Sequence, residues 1–382
     1  PMVNALRRGL NLQEKDSPNQ LLEKTVANIR AIDPALESYI PHYLHLLSIP
    51  SHEFPLPQNL KGEELRSALQ EALTAILTLN TRRKPMVCIF EDWHWRDEAS
   101  DLALKHLVGV IVSYPLMLVV LYRPKNEARW GSLEIHTPLV LKPLGRPNTE
   151  DILKSVFCAD RIPGGLRDMI HERTGGNPLF IEEVSNSLVE QGVVLVQNRQ
   201  VALTRSEEDL HLPDTVQAVI SSRIDQLNEK AQETLRLASV IGREFSRRIL
   251  ERIAPDPKLL SKPLEELKAL EVIQQTRILP EAEYIFKHVL TQVVVYERLL
   301  LRRRKELHSL VGQAVEEFYK DRLEERAGIL AYHYGRSEHQ DKAVKYALLA
   351  GDQAAALYAN TEATTYFEQA LTKARALTAS PK

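Results

Sequence analysis

Between residues 62 and 80, apolar side chains recur at three- and four-residue steps. Leu65, Ala68, Leu69, Ala72, Leu73, Ile76 and Leu77 share one face, which predicts an amphipathic helix from Gly62 to Asn80. A charged turn, Thr81–Pro85, leads into the short apolar run Met86–Phe90, which stops at Glu91-Asp92. Such a run reads as a buried parallel strand. Ala99–Val112 follows as a helix, Leu116–Leu121 as a second buried strand and His136–Leu141 as a third. Strand, helix and strand in this order imply a parallel sheet in an α/β domain. Upstream, Leu21, Leu22, Val26 and Ile29 predict a helix that starts at Ser17-Pro18, and Leu36, Ile40, Leu44 and Leu47 predict another. Residues 50–60, with three prolines at 50, 55 and 57, read as a loop.

Beyond Pro147 the pattern turns helical. Helices are predicted over Asn148–Phe157, Pro163–Arg173 and Pro178–Gln191, then a small hairpin from Val193–Val196 and Gln200–Leu203, then a polar linker at 204–212. From Pro213, helices at about 213–226, 229–241, 246–254 and 259–271 precede two extended pieces, Val272–Arg277 and Glu283–Phe286. Helices flanking a small β-wing suggest a winged helix-turn-helix. Leu299–Phe318 is a long helix opening with Arg302-Arg303-Arg304-Lys305. Past residue 320 the chain is helical throughout. Ala343-x-x-Tyr346 and Ala363-x-x-Tyr366 lie closer together than a tetratricopeptide period of about 34 residues, so they fit successive helices of one helical array.

Composition narrows the class. The 382 residues suggest two to four domains, and 44% hydrophobic with 26% charged residues excludes a disordered chain, a collagen-like fibre and a disulfide-rich miniprotein. Lys plus Arg total 49 against 51 Asp plus Glu, so no global basic excess argues for nucleic acid. The two cysteines, Cys88 and Cys158, sit beside apolar residues, and free core thiols in a reducing cytoplasm are expected. The longest uncharged run, His106–Tyr122, is broken by Gly109 and Pro115 and is short for a membrane span of about 20 residues. No signal peptide is recognised, and a cytoplasmic protein without a membrane partner is expected.

Three features carry candidate chemistry. Glu91 and Asp92 are adjacent carboxylates at the carboxyl end of a strand, where open α/β sheets bind ligands. One can hold the water shell of a magnesium ion while the other orients or deprotonates an attacking water, the Walker B arrangement. Solvated acids at a strand end are the plainer reading. Arg123 follows the next strand, where a guanidinium could reach a terminal phosphate or simply face solvent. Thr174-Gly175-Gly176-Asn177-Pro178 pairs a tight turn with a proline suited to the first turn of a helix, an ordinary junction in which the proline could also pack on an adenine base. His42, His45 and His52 are close in sequence but form a weak metal set without cysteine. The basic run Arg302–Lys305 could touch DNA phosphates, although a solvated helix face is favoured.

In order, "VCIFEDWHWRDEAS", "VVLYRP", "RTGGNPLFIEE", "LPDTVQAVISSRIDQL", "ASVIGREF" and "YIFKHVLTQVVVYERLL" resemble the signal-transduction ATPases with numerous domains, the STAND class of P-loop NTPases. More closely, they resemble the ATPase region of multidomain bacterial adenylate/guanylate cyclases and related regulators. The resemblance covers nearly the whole chain. It implies a mostly helical protein: an α/β remnant of a P-loop NTPase core at 1–147, an all-α lid with the small hairpin at 148–212, a winged helix at 213–320 and the start of a TPR-like helical array at 321–382. It implies ATP or ADP with Mg as cofactors and protein partners for the array. Glu91 and Asp92 would be the Walker B acids, with the magnesium-holding member left open. Arg123 would be the sensor arginine and Pro178 the adenine-facing proline. Trp93, His94 and Trp95 also match the pattern and are expected to pack.

One departure matters most. A P-loop needs G-x-x-x-x-G-K-[ST], because its backbone amides cradle phosphates and its lysine neutralises them, and the sequence contains none. In the family that loop precedes the point where this chain starts, and the chain starts with Pro1. The expectation is therefore an N-terminally truncated piece of a nucleotide-operated switch that hydrolyses ATP poorly by itself. The alternative is genuine loss of the loop. The result would then be a non-catalytic scaffold binding proteins or DNA through the winged helix and the array.

Overall fold

The computed structural model describes residues 2–13, 16–57, 60–82, 84–123, 135–204, 213–277, 281–357 and 359–379. The chain is predominantly helical with small sheets, as the sequence predicts. It divides into two compact units, Pro1–Pro138 with Asp321–Gly335 and Gln340–Lys382, and Leu139–Lys320 with Arg336–His339.

The first unit opens with α1 (Met2–Gly9) and α2 (Pro18–Ile32). Ser17 and Gln20 form a reciprocal capping box at the start of α2, with Pro18 in the first turn. The single helix expected over Leu36–Leu47 is instead a 3₁₀ turn, Pro34–Tyr39, followed by α3 (Ile40–Leu46). Each piece carries a proline in its first turn, where the missing N–H costs no helical bond. Then come α4 (Gly62–Asn80), β1 (Met86–Phe90), α5 (Glu98–Val110) and β2 (Leu116–Val120). Leu65, Leu69, Ala72 and Ile76 of α4 pack on Leu36, Ile40, Tyr43 and Leu44, and the Tyr43 hydroxyl donates to the Ala72 carbonyl at 2.8 Å.

β1 and β2 pair in parallel, Met86 opposite Leu116 through Phe90 opposite Val120. Met86, Cys88 and Phe90 face α4 and α5, packing with Leu73, Leu77, Leu104 and Leu107. The other face is bare: Val87 is 58%, Ile89 61% and Met117 61% exposed. The expectation of strands buried on both sides is thus met on one side only, since the packed layer of α4 and α5 covers a single face. His136–Leu141, expected as a third strand, forms none; Leu139, Val140 and Leu141 are exposed.

The second unit begins with α6 (Arg146–Phe157), α7 (Gly164–Thr174) and α8 (Pro178–Glu190), then the antiparallel hairpin β3 (Val194–Gln197) and β4 (Gln200–Leu203). Leu153, Phe157, Leu166, Ile170, Ile181 and Val184 form the core around these helices. Cys158, expected in a core, is exposed in a left-handed cap ending α6, while Cys88 is half-buried; both are free thiols. The stretch read as a linker, 204–212, lies outside the described residues except for Thr204. There follow α9 (Val216–Gln226), α10 (Glu229–Ile241), β5 (Glu244–Ser246), α11 (Arg247–Ile253), α12 (Ser261–Ala269), β6 (Ile273–Arg277), β7 (Glu283–Phe286), α13 (Val289–Glu297) and α14 (Leu301–Phe318). The sheet order is β5-β7-β6, all antiparallel. Three further helices belong to the first unit: α15 (Ala327–Gly335), α16 (Gln340–Ala356) and α17 (Asn360–Ala379). Tyr334 stacks on Tyr346 at 5.7 Å between α15 and α16. Among the described residues, no helix is long and apolar enough to cross a membrane.

Burial sets a pH dependence in the second unit. His308 of α14 is fully buried and bonds Tyr296 Oη at 2.9 Å. Burial, with repulsion from Arg336 and Arg304, pushes its pKa down to about 4. The folded protein therefore holds it neutral where the unfolded chain would protonate it. Its stabilising contribution is complete above the ordinary histidine value near 6.5 and is lost as the pH falls towards 4. Denaturation midpoints of wild type are expected to fall across that window, and those of His308→Asn to fall less steeply. Equal slopes would contradict the assignment.

Candidate functional site

The parallel register brings the carboxyl ends of β1 and β2 together, so Glu91, Asp92 and Arg123 follow two neighbouring strands at one sheet edge. The amide of Leu121 donates to the Phe90 carbonyl at 2.9 Å, and the amide of Trp93 donates back to the Leu121 carbonyl at 2.9 Å. Glu91 and Arg123 are exposed, and Asp92 is half-buried. Asp92 takes a left-handed conformation, φ 53° and ψ 34°, and caps a 3₁₀ turn, Trp93–Trp95. The turn is anchored by Trp93, only 1% exposed, whose ring meets Phe90 edge-on at 5.2 Å. The arrangement presents a pair of carboxylates and a guanidinium at the end of a parallel sheet, groups able to engage a hydrated cation and an anionic oxygen.

Pro178 belongs to the second unit, in the first turn of α8. Asn177 caps that helix, its side chain accepting from the Phe180 amide at 3.2 Å. Gly175 and Gly176 are both left-handed, and the Gly176 carbonyl accepts from the Leu144 amide at 2.9 Å. The glycine pair thus ties α7 and α8 to the segment entering α6.

The structure also gathers residues that sequence reading missed. Arg223 of α9 is nearly buried and bonds Glu183 at 2.6 Å and Glu190 at 2.6 Å, both on α8. Burial alone would weaken its basicity; hydrogen bonds and charge from Glu190 and Glu183 offset that and raise its pKa. Lys287, after β7, bridges Glu182 of α8 and Glu271, each at 2.6 Å. A cleft of about 170 Å³ beside these pairs is lined by Glu183, Arg223, Leu270, Glu271, His288 and Thr291. Arg223 lies in the run SSRIDQL, where nothing local marks its partners.

The basic run is largely occupied by the protein itself. Arg302 pairs with Glu306, Arg303 with Glu233 and Glu306, and Arg304 donates to the Leu299 and Glu297 carbonyls while lying over the Tyr296 ring. His42 and His45 lie on α3, and His52 is exposed in the loop after it. Among the described residues, no group of three His, Cys, Asp or Glu side chains is placed to hold a metal ion.

Residues 155–202 match a family described as a domain of unknown function (DUF8739). The chain is 28% identical over 320 residues to an uncharacterized protein of Rhizobium meliloti (strain 1021), covering 83% of this chain and 30% of that protein. It therefore spans about 30% of the length of that curated relative. A solved structure to which it is similar is a Signal Transduction ATPase with Numerous Domains (STAND) protein with a tetratricopeptide repeat sensor from Pyrococcus horikoshii. The match has a TM-score of 0.44 and 12% identity, and covers 89% of this chain and 57% of that one.

Proposed function

We propose that the chain is part of a STAND-type, ATP- and magnesium-operated regulatory switch. Glu91 and Asp92 serve the metal and the attacking water, and Arg123 contacts the terminal phosphate. The second unit's three-stranded sheet with α9–α14 acts as a winged helix, and α15–α17 begin a TPR-like array for protein partners. The observation that carries this reading is the placement of two adjacent acids at the carboxyl end of a parallel strand, with an arginine following the neighbouring strand. Ligand sites in open α/β sheets lie at that edge, and one acid for the metal with one for water is a sufficient constellation for hydrolysis once phosphates are gripped. The phosphate grip is not among the residues of this sequence, so ATP turnover by the chain alone is expected to be poor. In the protein isolated at its native length from its own cells, Asp92→Ala is expected to slow hydrolysis about a hundredfold. Unchanged turnover would remove the role assigned to Asp92.

A further inference from the structure

Two features at the end of β1 cost stability. Asp92 is one of seven non-glycine residues with positive φ among the described residues, at 53°, in a conformation that glycine adopts freely. Next to it, the Trp93 indole Nε1 is buried with no hydrogen-bond partner among the described residues. An unmet buried donor is costly. Simple changes would relieve both, since glycine at 92 removes the backbone strain and phenylalanine at 93 removes the orphan N–H. Strain of this kind persists only where surrounding structure imposes it, and it gathers at working sites.

The imposing structure is visible. The Trp93 ring is locked among Phe90, Leu104 and Leu107. Its amide is held by the Leu121 carbonyl of the neighbouring strand end, and its carbonyl receives the Arg96 amide at 3.1 Å and the Arg96 guanidinium at 3.3 Å. Arg96 is itself fixed by Asp101 of α5. Residue 93 is therefore pinned by its ring, its N–H and its C=O, while β1 fixes residue 90. Only the two acids remain to close the turn between them, and Asp92 absorbs the change of direction. We infer that Trp93 is a positioning residue that clamps Asp92 in the left-handed conformation and so sets the direction of the acid pair. What the pair does with that direction rests on the metal-binding role proposed above; the clamp itself does not.

A double-mutant cycle tests the clamp without requiring activity. Asp92→Gly in the wild-type background is expected to raise the unfolding midpoint of the first unit by about 2–4 °C, by releasing strain. In the Trp93→Leu background the same change is expected to give no rise, because Asp92 has already relaxed. Equal rises in both backgrounds would overturn the proposal. Should Trp93→Leu not fold, hydrogen exchange on the wild type decides. The Trp93 amide is expected to be protected as strongly as the amides of β1, and exchange at the rate of a surface loop would overturn the clamp. A functional readout separates positioning from mere packing. Titrated with Mn²⁺ alone, wild type and Trp93→Phe are expected to bind equally, while Trp93→Leu loses about tenfold in affinity. Equal Mn²⁺ affinity in Trp93→Leu and wild type would contradict positioning. A wild type that binds no Mn²⁺ contradicts the metal role of the acids, and the cycle still decides the clamp.

Discussion

Arg223→Met is expected to destabilise the second unit by about 3–5 kcal/mol, the loss typical of breaking one side of a buried ion pair. The side chain of Arg223 is 14% exposed, that of Glu183 7% and that of Glu190 26%. Its guanidinium makes four hydrogen bonds, from Nε to both Glu190 oxygens, from Nη2 to Glu190 and from Nη1 to Glu183. Methionine keeps much of the stem's packing but strands two carboxylates, one of them almost without water. Lysine restores the charge and not the fork, so Arg223→Lys is expected to recover only part of the loss. Arg302 provides the internal contrast. Its side chain is 90% exposed, so Arg302→Met is expected to change stability by less than about 0.5 kcal/mol despite its ion pair with Glu306. Urea denaturation of the three variants tests this, and a wild-type midpoint for Arg223→Met would contradict it.

Gly176→Ala is expected to cost about 3–5 kcal/mol, and Gly175→Ala about 1 kcal/mol. The two glycines share a left-handed conformation, φ 58° for Gly175 and 74° for Gly176, but not their surroundings. A Cβ on Gly175 meets nothing within 4 Å, whereas one on Gly176 would stand 2.1 Å from the Leu144 carbonyl oxygen and 3.0 Å from its nitrogen. That neighbour is backbone, so no rotamer change relieves the clash. Moving it would also break the bond from the Leu144 amide to the Gly176 carbonyl. Denaturation of both variants side by side checks the difference, and equal losses would show that strain alone, not the approach of Leu144, makes Gly176 necessary.

Sequence periodicity places the long elements well, because each carries its own pattern. The stripe of Leu65 to Leu77 predicts Gly62–Asn80, and α4 has those bounds. The apolar runs at 86 and 116 become two parallel strands, and the short hairpin lies at 194–203. Short-range cues fail where tertiary pairing decides. Leu139, Val140 and Leu141 look like a strand but form none in the structure. Glu244–Ser246 has three residues and no alternation to read, yet it pairs with β7. Pro41, in the first turn of α3, falls within a stretch whose apolar spacing alone reads as one continuous helix.

The candidate site divides in the same way. Parallel order alone puts Glu91, Asp92 and Arg123 at one edge. The left-handed turn at Asp92 was not legible, since an aspartate there carries no glycine signal and the constraint comes from Trp93 and Leu121. The partners of Arg223 were hidden for a different reason: Glu190 lies 33 and Glu183 40 residues away in sequence.

The measurement that bears most directly on the central claim is magnesium-dependent ATP binding and hydrolysis by the protein at its native length, compared with its Asp92→Ala variant. The protein is expected to bind ATP with magnesium, and the variant to turn it over about a hundredfold more slowly. A protein that binds no ATP, or a variant with undiminished turnover, would contradict the claim.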